Sequence, residues 1–262
     1  MASHPGTSCV VVDYSCPDDC GAWVERTYPQ VKVVRVPDRE HFQASDARNI
    51  GVRAADAPWV CFVDADIKLD ASFADTVRLL LRENRFLCAA PVERGMGGTV
   101  VCARSDFDRI GGYDRALLGY GGEDFDLYGR LVYIGVVRDT FPSQLLTLLE
   151  HDDALRVRHH QVKSMAANLT INNLYRQVKY DLMKLADGEL PEPTRQQLYK
   201  TVQKYVAESL SSDEPKTLRV NGGQWKMSFG FGVDRILSYV MSKRSEPQSL
   251  EDPLASRGAG VE

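Results

Sequence analysis

The sequence predicts an α/β protein built on a mixed or parallel sheet. Three observations predict it. Short runs of β-branched and apolar residues recur at 10–12, 31–36, 59–63, 86–91 and 99–103. Helical patterns alternate with them, which is the β-α-β-α-β order of an α/β domain. The run Trp59-Val60-Cys61-Phe62-Val63 is apolar on both faces, as in a strand with helices on each side.

Each element has its own local signal. Val10-Val11-Val12 ends at Asp13 and meets the turn formers Ser15, Pro17 and Asp18, so a strand runs into a loop. Residues 22–28 make a short helix and 31–36 a second strand. Residues 44–55 are helical in pattern, with Ser45 as the N-cap and Pro58 as the stop. Residues 72–84 are amphipathic, with Phe73, Val77, Leu80 and Leu81 on one side. From about Gln161 the character changes: 161–185 and 194–210 are long helical segments separated by 188–193. A Gly-rich aromatic patch after Val220 leads into a further helix, so residues 159–244 form a mainly helical extension packed on a first domain of 1–158. Residues 245–262 are rich in Ser, Pro and Gly without periodicity and predict a disordered tail.

Composition narrows the function. The chain has 262 residues, with 32 Lys plus Arg against 36 Asp plus Glu, for a net charge of −4. That balance excludes a basic nucleic-acid binder. No apolar run approaches the ~20 residues of a membrane span, and residues 1–8 lack the basic-then-apolar pattern of a leader. A cytoplasmic protein, at most peripheral to a membrane, is the expectation. Of six cysteines, Cys16 and Cys20 suggest half a zinc site, but no second Cys/His pair follows. Cys61, Cys88 and Cys102 sit in apolar runs and read as small buried hydrophobes.

Three segments carry chemistry. Asp64-Ala65-Asp66 follows the apolar run directly, and in extended chain its two carboxylates share a face. At the carboxyl end of a strand such a pair suits a hard divalent cation bridging to phosphate, although two solvated loop aspartates give the same pattern. Gly119-Tyr120-Gly121-Gly122-Glu123-Asp124-Phe125-Asp126 joins glycines that permit close backbone approach to acids at a helix start. A capped helix after a Gly turn reads the same way. His151 follows a strand-like run, while His159 and His160 read as surface residues on a basic segment.

In order and spacing these pieces resemble a known family. The stretch Gly97-Gly98-Thr99-Val100-Val101-Cys102-Ala103-Arg104-Ser105-Asp106-Phe107, then Gly111-Gly112-Tyr113-Asp114, runs on to the Gly-Gly-Glu-Asp segment ending at Asp126. With Ala47-Arg48-Asn49-Ile50-Gly51 ahead of the Asp-x-Asp pair, residues 9–155 resemble GT-A glycosyltransferases of the family-two type with a galactosyltransferase-like second half. Lactose-forming galactosyltransferases, polypeptide N-acetylgalactosaminyltransferases and bacterial capsule or chondroitin polymerases share the pattern. The family's usual first strand has no counterpart ahead of Val10.

The resemblance implies a nucleotide-diphospho-sugar transferase fold and transfer from a UDP-sugar to an acceptor hydroxyl, in bacterial-type glycan or polysaccharide synthesis. It implies Mn2+ (or Mg2+) held by Asp64, Asp66 and His151. Arg48 pairs with the diphosphate, Asp13 accepts from uracil, and Gly122 lies against the donor. Asp124 is the general base and Glu123 grips an acceptor hydroxyl. Asp124 where retaining relatives often carry Asn implies inversion, and the C-terminal helices offer surface for self-association. The alternative is a non-catalytic sugar-nucleotide or glycan-binding module of a glycan-synthesising complex.

Overall fold

A computed structural model describes residues 4–91, 95–149, 152–226 and 232–243. The chain divides into two compact units, which meet in sequence at Asn172 and Asn173.

The first unit opens with β1 (Val10–Asp13), α1 (Cys20–Thr27), β2 (Lys32–Arg35) and α2 (Ala44–Arg53). β1 and β2 pair in parallel, with Val11 opposite Val33. Then follow β3 (Trp59–Phe62), β4 (Ile67–Leu69), α3 (Phe73–Leu80), β5 (Arg85–Ala90), β6 (Val100–Ala103), α4 (Arg104–Arg109), α5 (Glu123–Tyr133), β7 (Val137–Pro142), β8 (Leu146–Leu148) and α6 (Asp153–Val157). The largest sheet has the order β3-β6-β5-β7, antiparallel except for the parallel β5–β7 pair. The sheet is therefore mixed, as the sequence predicts. β4 and β8 form a small antiparallel ladder beside it.

Alternation along β5 and β6 builds the core on both faces. Phe86, Cys88, Val100 and Cys102 point to one side, where Phe107, Leu127, Tyr128 and Leu131 cover them. Leu87, Ala89 and Val101 point to the other, against Phe73 and Val77 of α3. Residues 86–89 are each no more than 1% exposed, so this strand is covered on both sides.

Several local expectations are corrected. Ser45 is not the N-cap of α2; that position is Gln43, and Ser45 is buried within the first turn. Cys61 is exposed, because β3 pairs only with β6 among the described residues and stands at the sheet margin. Cys88 and Cys102 are buried as expected. His160 is no surface residue. It is 5% exposed, with its ring edge-on to Phe42 and near Tyr120, and burial lowers its pKa.

The helix α7 (Met165–Ala186) runs from the end of the first unit into the second, which continues with α8 (Glu192–Leu210). Where the sequence predicts a further helix towards Met241, the chain instead forms a hairpin of β9 (Lys216–Lys226) and β10 (Gly232–Met241). Ile236, Leu237, Val240 and Met241 have helical spacing, yet Val233, Leu237, Tyr239 and Met241 equally fit a strand face. Pairing decides between them. Tyr205 of α8 anchors the hairpin: its hydroxyl donates to Lys216 O at 2.7 Å and accepts from Met241 N at 2.8 Å. Residues 245–262 lie outside the described residues, and no helix among the described ones is long and apolar enough to cross a membrane.

Candidate active site

The site gathers around Arg48. It lies mid-helix on α2, next to Asn49, whose amide donates to Tyr113 O at 2.9 Å and whose Oδ1 accepts from Tyr113 N at 2.8 Å. That exchange fixes the turn after α4 to α2 and sets Tyr113 beneath Arg48, with the guanidinium carbon 5.0 Å from the ring centre. Below the same turn, fully buried Arg130 donates to Asp126 at 2.8 Å and to the carbonyls of Ile110 and Gly112 at 2.7 Å. The Gly-Gly-Tyr-Asp segment and the start of α5 are thus one hydrogen-bonded body.

Onto that frame converge acids from distant parts of the chain. Arg48 Nη2 is 2.6 Å from Asp64 Oδ1, and Nη1 is 3.0 Å from both Glu123 Oε1 and Asp124 Oδ1. Tyr113 Oη donates to Asp124 at 3.1 Å. Glu123 and Asp124 open α5 because Gly122, the residue before it, adopts a φ of 92° that other residues rarely tolerate. The helix start favours their negative charge. Burial pushes the Asp124 carboxyl up to about 7; Arg48 opposes the shift, while Glu123 and Asp64 add to it by repulsion.

The Asp-x-Asp pair is not extended. β3 ends at Phe62, and the amide of Ile67 donates to Asp64 O at 3.0 Å across a turn. The two carboxylates therefore take different partners: Asp64 meets Arg48, and Asp66 lies 3.7 Å from Arg156 of α6. Both are partly open to solvent, at 32% and 21% side-chain exposure. Space for Asp64 exists because residue 98 is glycine; a Cβ there would fall 2.1 Å from Asp64 Oδ2. Hard oxygen donors, solvent-reachable and each balanced by an arginine, fit a divalent cation of the manganese or magnesium kind. Leu149 N donates to Asp66 O at 2.7 Å, two residues before His151, which itself lies outside the described residues.

Asp13 is engaged elsewhere. Its carboxylate accepts from Cys16 N at 2.9 Å and Gly21 N at 3.0 Å, with Arg35 at 3.4 Å. Among sequence-predicted site residues, Arg48, Asp64, Glu123 and Asp124 come together, Gly122 caps their helix, and Asp66 stands beside them on the β3–β4 turn.

Sequence reasoning missed four contributors. Tyr113 and Asn49 lie within the quoted motifs, yet nothing local assigned them a partner. Arg156 and Asn172 gave no signal at all. Arg156 also donates to Tyr120 Oη at 3.2 Å, and Asn172 donates to Gly121 O at 2.6 Å, pinning the glycine turn from α7.

A strand-end cluster of acids around one arginine, in a mixed α/β unit, lies where open α/β sheets bind their ligands. Comparison with known proteins sharpens it. Residues 78–164 match the family model of the N-terminal domain of galactosyltransferase, a span that covers the glycine motif, the start of α5 and His151. The likeness to galactosyltransferases read from the motif order is therefore carried by an independent match.

Over 194 residues the chain is 24% identical to the beta-1,4-galactosyltransferase 2 of Mus musculus, covering 69% of this chain and 52% of the relative. It spans about half the length of that curated protein. Among solved structures it is similar to the mannosyltransferase PcManGT from Pyrobaculum calidifontis, determined with GDP-Man and Mn2+ (19% identity, 76% of this chain and 60% of that one, TM-score 0.47). It is also similar to TarS 1-349 of S. aureus (14% identity, 78% and 63% covered, TM-score 0.48).

Proposed function

We propose that the chain is a metal-dependent glycosyltransferase that moves a sugar from a UDP-sugar to an acceptor hydroxyl with inversion, in bacterial-type glycan or polysaccharide synthesis. One observation carries the reading: a single guanidinium, that of Arg48, ties Asp64 at the strand end to Glu123 and Asp124 at the helix start. Donor-side and acceptor-side acids thus lie one side chain apart, the spacing that transfer between two bound substrates requires.

Asp64, Asp66 and His151 would hold Mn2+, or Mg2+ in its place. When bound, the ion supplies charge stabilisation for the departing diphosphate. Arg48 exchanges part of its pairing with the acids for the diphosphate oxygens. The backbone at Gly122, lacking a side chain, lets the donor approach the helix start. Glu123 accepts from an acceptor hydroxyl and orients it. Asp124 removes the proton of the attacking hydroxyl; an acid held near 7 is poised between its two forms at working pH. Tyr113 Oη holds that carboxylate in place. A base that delivers the acceptor directly, without a covalent sugar intermediate, gives inversion.

Calorimetry of UDP with Mn2+ and with chelator, alongside UDP release from UDP-galactose, tests the reading. Binding that needs the metal, and release that rises with acceptor, are expected. Equal UDP affinity with and without chelator would exclude a metal bridge at Asp64 and Asp66.

A further inference from the structure

The loop between β1 and α1 holds two thiols side by side. Asp13 closes β1, and its carboxylate accepts from Cys16 N at 2.9 Å and Gly21 N at 3.0 Å. Between those two amides the chain turns tightly: Asp19 N donates to Cys16 O at 3.1 Å, and Ser15 and Asp19 take positive φ of 55° and 47°. Asp19 then caps α1, whose first residue is Cys20. The Sγ atoms of Cys16 and Cys20 and a carboxylate oxygen of Asp13 consequently lie within 4.8 Å of one another. Both cysteines are half-buried, so a small reagent reaches them.

We propose that Cys16 and Cys20 are a redox modification site: a reversible disulfide between them locks this loop against Asp13 and weakens donor binding. A disulfide bonds its sulfurs at ~2.05 Å, and a change of χ1 rotamer in this half-exposed loop closes the remaining distance. The bridge closes a ring of only five residues, 16–20, so it restricts the unfolded chain little and is readily reduced again. The bonded sulfurs stand beside the Asp13 carboxylate and narrow the approach to it. That consequence rests on the UDP-sugar reading and on the uracil contact that the family resemblance assigns to Asp13; the disulfide itself does not.

The oxidant is a low-molecular-weight disulfide. Burial first, then the neighbouring Cys16 and Asp13, push the Cys20 thiol up to about 12, so Cys16 attacks first. Its thiolate adds to one sulfur of the small disulfide, breaks that S–S bond and expels one thiolate. Cys20 then loses its proton, and its sulfur displaces the second small thiolate from Cys16. Two protein thiols are oxidised to one disulfide, the small disulfide is reduced to two thiols, and the two protons pass to the departing thiolates.

The test equilibrates the full chain, reduced and anaerobic, with oxidised glutathione, then removes the reagent. Intact mass should fall by two hydrogens, and peptide mapping should join Cys16 to Cys20. Mn2+-dependent UDP affinity by calorimetry should drop by about tenfold or more, the worth of a hydrogen bond to a charged group, and return with dithiothreitol. Cys16→Ser and Cys20→Ser should each melt as the wild type does and keep full affinity after the same treatment, whereas Cys61→Ser should still respond. A chain that gains only glutathione, or a bridge elsewhere such as Cys9 to Cys61, would overturn the modification site. A Cys16–Cys20 bridge with unchanged UDP affinity would overturn its control of the donor, as would an affinity loss that persists in Cys16→Ser. Failure of the reduced chain to bind UDP with Mn2+ would remove the UDP-sugar reading and the donor effect with it, while the mass measurement judges the disulfide independently.

Discussion

Replacing Asp124 by Asn separates catalysis from stability in a way that the structure makes quantitative. The Asp124 side chain is 15% exposed, and its pKa is raised from 3.8 to about 7, burial being the largest cause. In the unfolded chain the same group ionises near 3.8. Between these values the folded state binds the extra proton, so stability is greatest at low pH and falls as pH rises from about 4 to about 7. At 1.36 kcal/mol per pH unit the loss reaches at most about 4 kcal/mol. For a unit of this size each kcal/mol moves the melting midpoint by roughly 2–4 °C.

Asn keeps the size of Asp and can accept from Tyr113, but it does not titrate. Asp124→Asn should therefore melt at nearly the same temperature across this range once the slope shared by other groups is subtracted, and above pH 7 it should be as stable as the wild type or more so. Transfer should fall by about 10²–10⁴-fold, roughly 3–5 kcal/mol of barrier, because no base remains to take the acceptor proton. UDP binding with Mn2+ should be nearly unchanged. The assay is UDP release from UDP-galactose at saturating acceptor, beside thermal melts from pH 5 to 8. Wild-type turnover by Asp124→Asn would refute the base assignment and make Glu123 the next candidate. Parallel pH slopes in the two proteins would refute the burial argument.

Two other substitutions probe the frame. Arg48→Ala leaves Asp64, Glu123 and Asp124 facing one another without their shared cation, so denaturant unfolding at pH 8 should show a loss of about 3–5 kcal/mol. The loss should shrink at pH 5, where Asp124 is protonated; an equal loss at both pH values would contradict the coupling. Gly98→Ala places a methyl group where the Asp64 carboxylate sits. Mn2+-dependent UDP affinity should then drop at least tenfold with little change in melting temperature, and unchanged affinity would mean that Asp64 does not need its present position.

Much of the first unit was legible in the sequence because its signals are local. Val10-Val11-Val12 and residues 86–89 carry enough consecutive β-branched or apolar side chains to require strands, and the glycines before Glu123 require a turn before a helix. Arg48, Asp64, Glu123 and Asp124 were legible as chemistry because their residue types and order match a known pattern. Their companions were not. Arg48 is 75 residues from Glu123, and Asn49 is 64 from Tyr113, so those bonds exist only after the sheet has assembled.

Where two periods fit the same residues, the tertiary structure decided. Residues 232–241 suit a helix or a strand in isolation, and the ladder to β9 together with the Tyr205 hydroxyl selects the strand. Cys61 and His160 exchanged their expected surroundings for the same reason: burial depends on what packs over an element, and a sequence window records only the element. Asp13 shows the limit most sharply. Sequence alone set it at the end of a strand, whereas the amides of Cys16 and Gly21 reach it through a loop that bends at Ser15 and Asp19, and Arg35 reaches it through the parallel pairing of β1 with β2.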